Sequence, residues 1–145
     1  MMVLALRILH HLGNSVFISS LVYIVFLLQF QDGTYLTIRL ASLVFYIFTV
    51  PGLILVFLSG IFLIVFQNYV LREEDWLKQK GVFTLIIMLL IILIFFPEMK
   101  SVLQVSVSSA MQIHTGRLTV LSIALFFLAL GNMGIAFAHR PQQSR

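Results

Sequence analysis

The chain has 145 residues, 61% of them hydrophobic and 10% charged, whereas a soluble domain carries charge on about a quarter of its positions. With a mean hydropathy of +1.09, this excludes an ordinary water-soluble fold and points to an all-α, polytopic membrane protein, a four-transmembrane-helix bundle. The formal net charge of +4 fits cationic anchors beside membrane spans rather than a nucleic-acid surface. The absence of cysteine excludes disulfides, thiolate nucleophiles and thiolate-held metals.

Four spans are predicted within a single domain covering 1–145, at about 8–30, 40–70, 81–97 and 118–138. In the first, Arg7 follows apolar residues instead of preceding them, and no small-residue cleavage pattern comes after the apolar run. A retained helix is therefore expected, not a signal peptide. The span closes at Gln31, Asp32 and Gly33, which is turn chemistry. The second runs from Leu40 to Leu71 without a formal charge, longer than a hydrocarbon core of about 30 Å requires. It must tilt, bend or protrude, and Pro51 followed by Gly52 supplies a local reason to bend.

The stretch LREEDWLKQK at 71–80 sets three acids and three cations around Trp76 and is expected as an aqueous-side loop. The third span is short if it ends at Pro97, Glu98 and Lys100, and longer only if it continues into headgroups or water. Ser101 to Gly116 fits an interfacial helix or a loop equally well. Leu118 to Ala138 forms the fourth span, bounded by Arg117 on one side and His139 and Arg140 on the other. Four crossings put both termini and the 71–80 segment on one side, with Arg7, Arg72, Lys78, Lys80, Arg140 and Arg145. Arg39, Lys100 and Arg117 fall on the other, so the positive-inside rule predicts an inner-membrane protein with both termini cytoplasmic.

Polar side chains within spans are few, and helical phase says which can meet. On the first helix Arg7, His11, Asn14 and Ile18 share a face, with His10 about a third of a turn away. On the second, Ser42, Tyr46, Thr49, Leu53, Val56, Gly60, Leu63 and Gln67 form one continuous seam. Close helix packing explains such a seam without any ligand. On the fourth, Asn132, Ala136 and His139 stack, flanked by Ala129, Gly131, Gly134 and Ala138. The third offers only Thr84 and is expected to face lipid or fill space, without supplying a ligand. Trp76 reads as an interfacial anchor, Glu73, Glu74 and Asp75 as a solvated charge run, and His114 as a headgroup-level residue on the opposite side. No Asp, Glu, Lys or Arg stands near the middle of any span, which disfavours ion pumps and voltage sensors.

The predicted topology brings His10, His11 and His139 to the same membrane side as Trp76, Lys78 and Lys80. Imidazoles from two antiparallel helices are an axial ligand set for haem, with small residues making room and cations pairing with the propionates. Plain interfacial anchoring is the competing account of the same histidines.

The order Leu9-His10 or the adjacent His11, then Pro51 and Gly60 in the second helix, then Trp76-Leu77 with Lys80 opening the third, resembles a group of small bacterial membrane proteins. The group comprises the HemJ-type protoporphyrinogen oxidases, the CopD-like domain and a related family of predicted integral membrane proteins of unknown function. The resemblance covers about the first two thirds of the chain. It implies haem b as cofactor, His10 or His11 as its ligand, and Lys80 as the catalytic residue. The first helix here ends LLQFQDG where the HemJ-type pattern has a Pro-Arg motif, and the third helix lacks that pattern's histidine.

The leading expectation is thus a haem-associated, redox-linked membrane protein. His11, or His10, ligates iron, His139 is the candidate second metal ligand, and Arg7 with Lys80 neutralises carboxylates. The alternative is a noncatalytic accessory or assembly subunit whose small-residue seams receive a partner helix. The expected partners are the lipid bilayer and either a second copy of the chain or another membrane protein; whether the chain is an enzyme stays open.

Overall fold

The computed structural model describes residues 1–30, 35–66, 75–104 and 108–138, all in helices apart from Met1. Backbone N–H and C=O groups find no partner in hydrocarbon, and a chain this apolar satisfies them within its own helices. The first helix is Met2–Phe30. The second runs from Tyr35 to Phe66 as α-helix Tyr35–Val44, a π-helical turn Phe45–Thr49 and α-helix Val50–Phe66. The third is built the same way from Asp75–Leu90, a π-helical turn Ile91–Phe95 and Phe96–Gln104, and the fourth is Ser108–Ala138. Four of these stretches are long and apolar enough to cross a membrane: Met2–Gln29, Tyr35–Phe66, Asp75–Val102 and His114–Ile135. The protein is an all-α, multi-pass membrane protein.

Both π turns have one cause. Each ends two residues before a proline, Pro51 and Pro97. Proline has no N–H for the carbonyl four residues back, and its ring crowds that carbonyl. The ladder widens instead, with the N–H of Val50 reaching the carbonyl of Phe45 and that of Phe96 reaching Ile91. At Pro51 a bend was expected, and a π turn stands there. At Pro97 the helix does not stop but runs on to Gln104. Asp75 to Lys80, expected in a loop, forms the opening turns of the third helix. The fourth begins at Ser108 rather than near 118, so the part of 101–116 that is described is helical.

The first helix is central. It packs along the second, mostly against 50–66, and against the fourth; the third packs on the fourth. Its buried face is His10, Gly13, Phe17, Ser20, Leu21, Ile24, Leu27 and Leu28, a three-and-four spacing that keeps one stripe inward. This is not the Arg7, His11, Asn14 and Ile18 face: Arg7 and His11 are exposed, and Asn14 and Ile18 half-buried. The crossing with the second helix is set by two glycines. A Cβ on Gly13 would stand 3.0 Å from the Val56 nitrogen, and one on Gly52 would stand 3.0 Å from the Phe17 nitrogen, so only hydrogen lets these backbones approach so closely. Deeper in the span, Thr49 donates to Ser20 at 2.8 Å and Ser20 to the Phe17 carbonyl at 2.7 Å, leaving both hydroxyls satisfied.

The seam predicted on the second helix is inward at Ser42, Thr49, Leu53 and Val56. Tyr46 departs from it. The extra residue per turn in the π segment rotates Phe45 inward, where it meets the Phe95 ring at 4.8 Å, and leaves Tyr46 exposed. Gln67 lies outside the described residues. Large apolar side chains on the periphery, such as Leu93 at 66%, Val120 at 67% and Phe127 at 64% exposure, are the surface that acyl chains cover.

Candidate functional site

Three residues before Gly13 the first helix presents His10, and the glycine crossing brings it against the second helix four and seven residues beyond Gly52. His10 is 8% exposed. Its Nδ1 lies 3.1 Å from the carbonyl oxygen of Val56 and 3.0 Å from Oγ of Ser59. Ser59 directs its own proton to the backbone carbonyls of Leu55 and Val56, so Nδ1 is assigned as the donor in this network. In the neutral ring, Nε2 then carries the lone pair. Gly60 makes room for the imidazole: a Cβ there would meet Cε1 of His10 at 3.6 Å.

Lys80 stands in the second turn of the third helix, half-buried. One turn on, Thr84 donates to the Lys80 carbonyl at 2.9 Å and accepts from the Asn132 side-chain N–H at 3.0 Å. Asn132, 7% exposed, has its Oδ1 buried with no hydrogen-bond partner. Turning the amide over does not cure this, because the Thr84 proton is already committed to Lys80. Each helix thus contributes to a polar layer near one end of the bundle: His10, Ser59, Lys80 with Thr84, and Asn132, all five to nine residues from the described helix termini on that side. Around this layer Asp75–Leu90 of the third helix packs on the fourth and makes little contact with the first or with 50–66 of the second.

Of the residues expected at the site, His10 and Lys80 both lie in this layer at one end of the bundle. His11 turns outward, its ring edge-on to His10 at 6.3 Å between centroids. Arg7 is exposed, Trp76 is half-buried on the first turn of the third helix, and Lys78 is paired with Asp75 at 2.7 Å. His139 lies outside the described residues. Thr84, on the helix expected to face lipid or fill space without supplying a ligand, is the partner of Asn132. At the opposite end, Glu98, 14% exposed at its side chain, accepts from His114 at 2.9 Å and Arg117 at 3.3 Å. The signal for this clamp was the His-x-x-Arg spacing on one helix face opposite an acid in an antiparallel hairpin. Among the described residues no group of three or more His, Cys, Asp or Glu side chains is placed to hold a metal ion alone.

Comparison with family models, curated proteins and solved structures finds no match for the chain. Fold and site together define a multi-pass helical membrane protein with a buried, polar, histidine-bearing layer near one membrane face.

Proposed function

We propose that this protein is a haem-binding, redox-linked component of the bacterial inner membrane, with both termini and the Lys80 end of the bundle cytoplasmic. The observation that carries the reading is the anchoring of His10 Nδ1 on the Val56 carbonyl. Metal-ligating histidines characteristically donate their second ring nitrogen in this way, which fixes the tautomer and the ring direction. The residues present suit haem b: one oriented imidazole nitrogen, a half-buried ammonium at Lys80, and an exposed guanidinium at Arg7 on the same side for the propionates. His139 is the candidate second ligand, and His11, pointing outward, is better suited to the interface than to iron. Haem b would supply one-electron transfer. The protein's own part is to fix the imidazole, pair the carboxylates and keep water from the ring. By the HemJ-type resemblance, Lys80 is also the residue that would act on a porphyrinogen substrate. Six cations on the side of the termini against three on the other support the orientation.

The fourth helix favours a second reading, that of a noncatalytic subunit. Gly131 and Gly134 are exposed, and a Cβ on Gly134 would meet nothing within 4 Å, which leaves space for a partner helix.

The test is an absorption spectrum of the protein purified in mild detergent from cells fed a haem precursor, before and after dithionite. A Soret band that shifts on reduction, survives His11→Ala and disappears in His10→Ala is the expected result. A colourless, fully helical preparation would instead favour the subunit.

A further inference from the structure

The outward face of the second helix carries a polar stripe where lipid tails would be expected to meet only apolar groups. Tyr35, Arg39 and Tyr46 are exposed along it, while Ser42, between them in the four-three-four spacing, is buried and donates to the Arg39 carbonyl at 3.0 Å. They line a groove of about 690 Å³ whose walls are Leu36, Leu40, Leu43 and Ile47. Arg39 is one turn, or about 6 Å, from the start of the helix, and Tyr46 about 16 Å from it. The helix is longer than a bilayer core is thick; with its first turn or two, which carry Arg39, at headgroup depth, the lower groove would lie in hydrocarbon.

The cation is held in place: the Arg39 guanidinium sits over the Tyr35 ring at 5.5 Å from its centroid, which limits its freedom before anything binds. The Tyr46 ring is braced edge-on against Phe96 at 5.7 Å, and it lines the same groove as Arg39. The 96–104 segment packs beside this part of the second helix and adds the exposed ammonium of Lys100 at the same end. The one carboxylate described there, Glu98, is already engaged by His114 and Arg117. The surface around the groove mouth thus presents positive charge, with an apolar channel below it.

We infer that this groove is a binding site for one anionic phospholipid. Its phosphate pairs with Arg39, a glycerol ester carbonyl accepts from the Tyr46 hydroxyl, and an acyl chain lies along Leu43 and Ile47. Arg39 forks onto phosphate oxygens in a way an ammonium cannot, and a cation near the headgroup plane favours anionic over zwitterionic lipid by about fivefold. The site is on the far side of the membrane from His10 and does not depend on any cofactor.

The test is native mass spectrometry of the whole protein in mild detergent, titrated with phosphatidylglycerol and with phosphatidylcholine of the same chains. Wild type is expected to retain one phosphatidylglycerol about fivefold more tightly than phosphatidylcholine. Arg39→Gln should remove the preference, Arg39→Lys should restore part of it, and Leu43→Trp should block retention of either lipid without touching the charge. Both positions are exposed and line the groove, and helicity checks that each variant folds. Equal retention of the two lipids by wild type would overturn the inference, as would a preference that survives Arg39→Gln. A dimer whose interface excludes lipid from the groove would overturn it too, assigning the face to a second copy.

Discussion

Two adjacent histidines have opposite fates, and phase explains why the sequence alone leaves them open. His10 and His11 are about 100° apart on the helix, and the Arg7, His11, Asn14 face is as polar as the one bearing His10. What decides is Gly13, which no charge or hydrogen-bonding pattern marks: the first helix turns toward the second wherever its backbone can come closest, and His10 lies on that side. His10→Ala loses the bond from Nδ1 to Val56 and Ser59 and should lower stability in detergent by about 1–3 kcal/mol. His11→Ala should stay within about 0.5 kcal/mol; thermal unfolding of the two variants side by side measures the difference. A similar contrast holds for Asn132 and Thr84. Asn132→Leu loses the bond to Thr84 but also removes the unpaired oxygen, so the two effects nearly cancel. Thr84→Val keeps the buried amide and strips its partner, which should cost about 1–3 kcal/mol. Thermal unfolding should rank Thr84→Val below Asn132→Leu, and the reverse order would mean that Oδ1 is satisfied in the membrane.

At the scale of elements, hydrophobic runs marked the four spans well, because a long uncharged stretch admits few other structures. Their ends and internal register were less legible. Proline at 97 has the usual meaning of a stop in water, yet in lipid the third helix continues, since ending there would strand carbonyls that a π turn can still satisfy. The same widening at Phe45–Thr49 moved Phe45 into the position that a regular helix gives to Tyr46. Seam positions on the far side of Pro51 kept their phase because Gly52 fixes the second helix against Phe17. Gly52→Ala would drive a methyl into the Phe17 backbone and should cost about 1–3 kcal/mol. It should also separate His10 from Val56, so a variant as stable as wild type would show that the crossing is looser than this packing implies.

The whole molecule is a bundle whose two ends differ. One holds His10, Ser59 and Asn132 buried, with Lys80 and Thr84 half-buried in the same layer; the other holds the Glu98 clamp and the Arg39 groove. Charge placement in the sequence anticipated that asymmetry, because four crossings sort the cations by parity. The His114 and Arg117 spacing did not by itself mark Glu98 as a clamp, since these partners follow it by 16 and 19 residues and meet it only if the third helix outlasts Pro97. Every assignment to an end depends on the four crossings. The absence of native cysteine lets single cysteines report them cleanly. In intact cells treated with a membrane-impermeant maleimide, cysteines at positions 36 and 100 should react, and those at positions 4 and 78 only after permeabilisation. Labelling of positions 36 and 78 from the same side would contradict the four-crossing arrangement, and with it the grouping of His10 and Lys80 at one face.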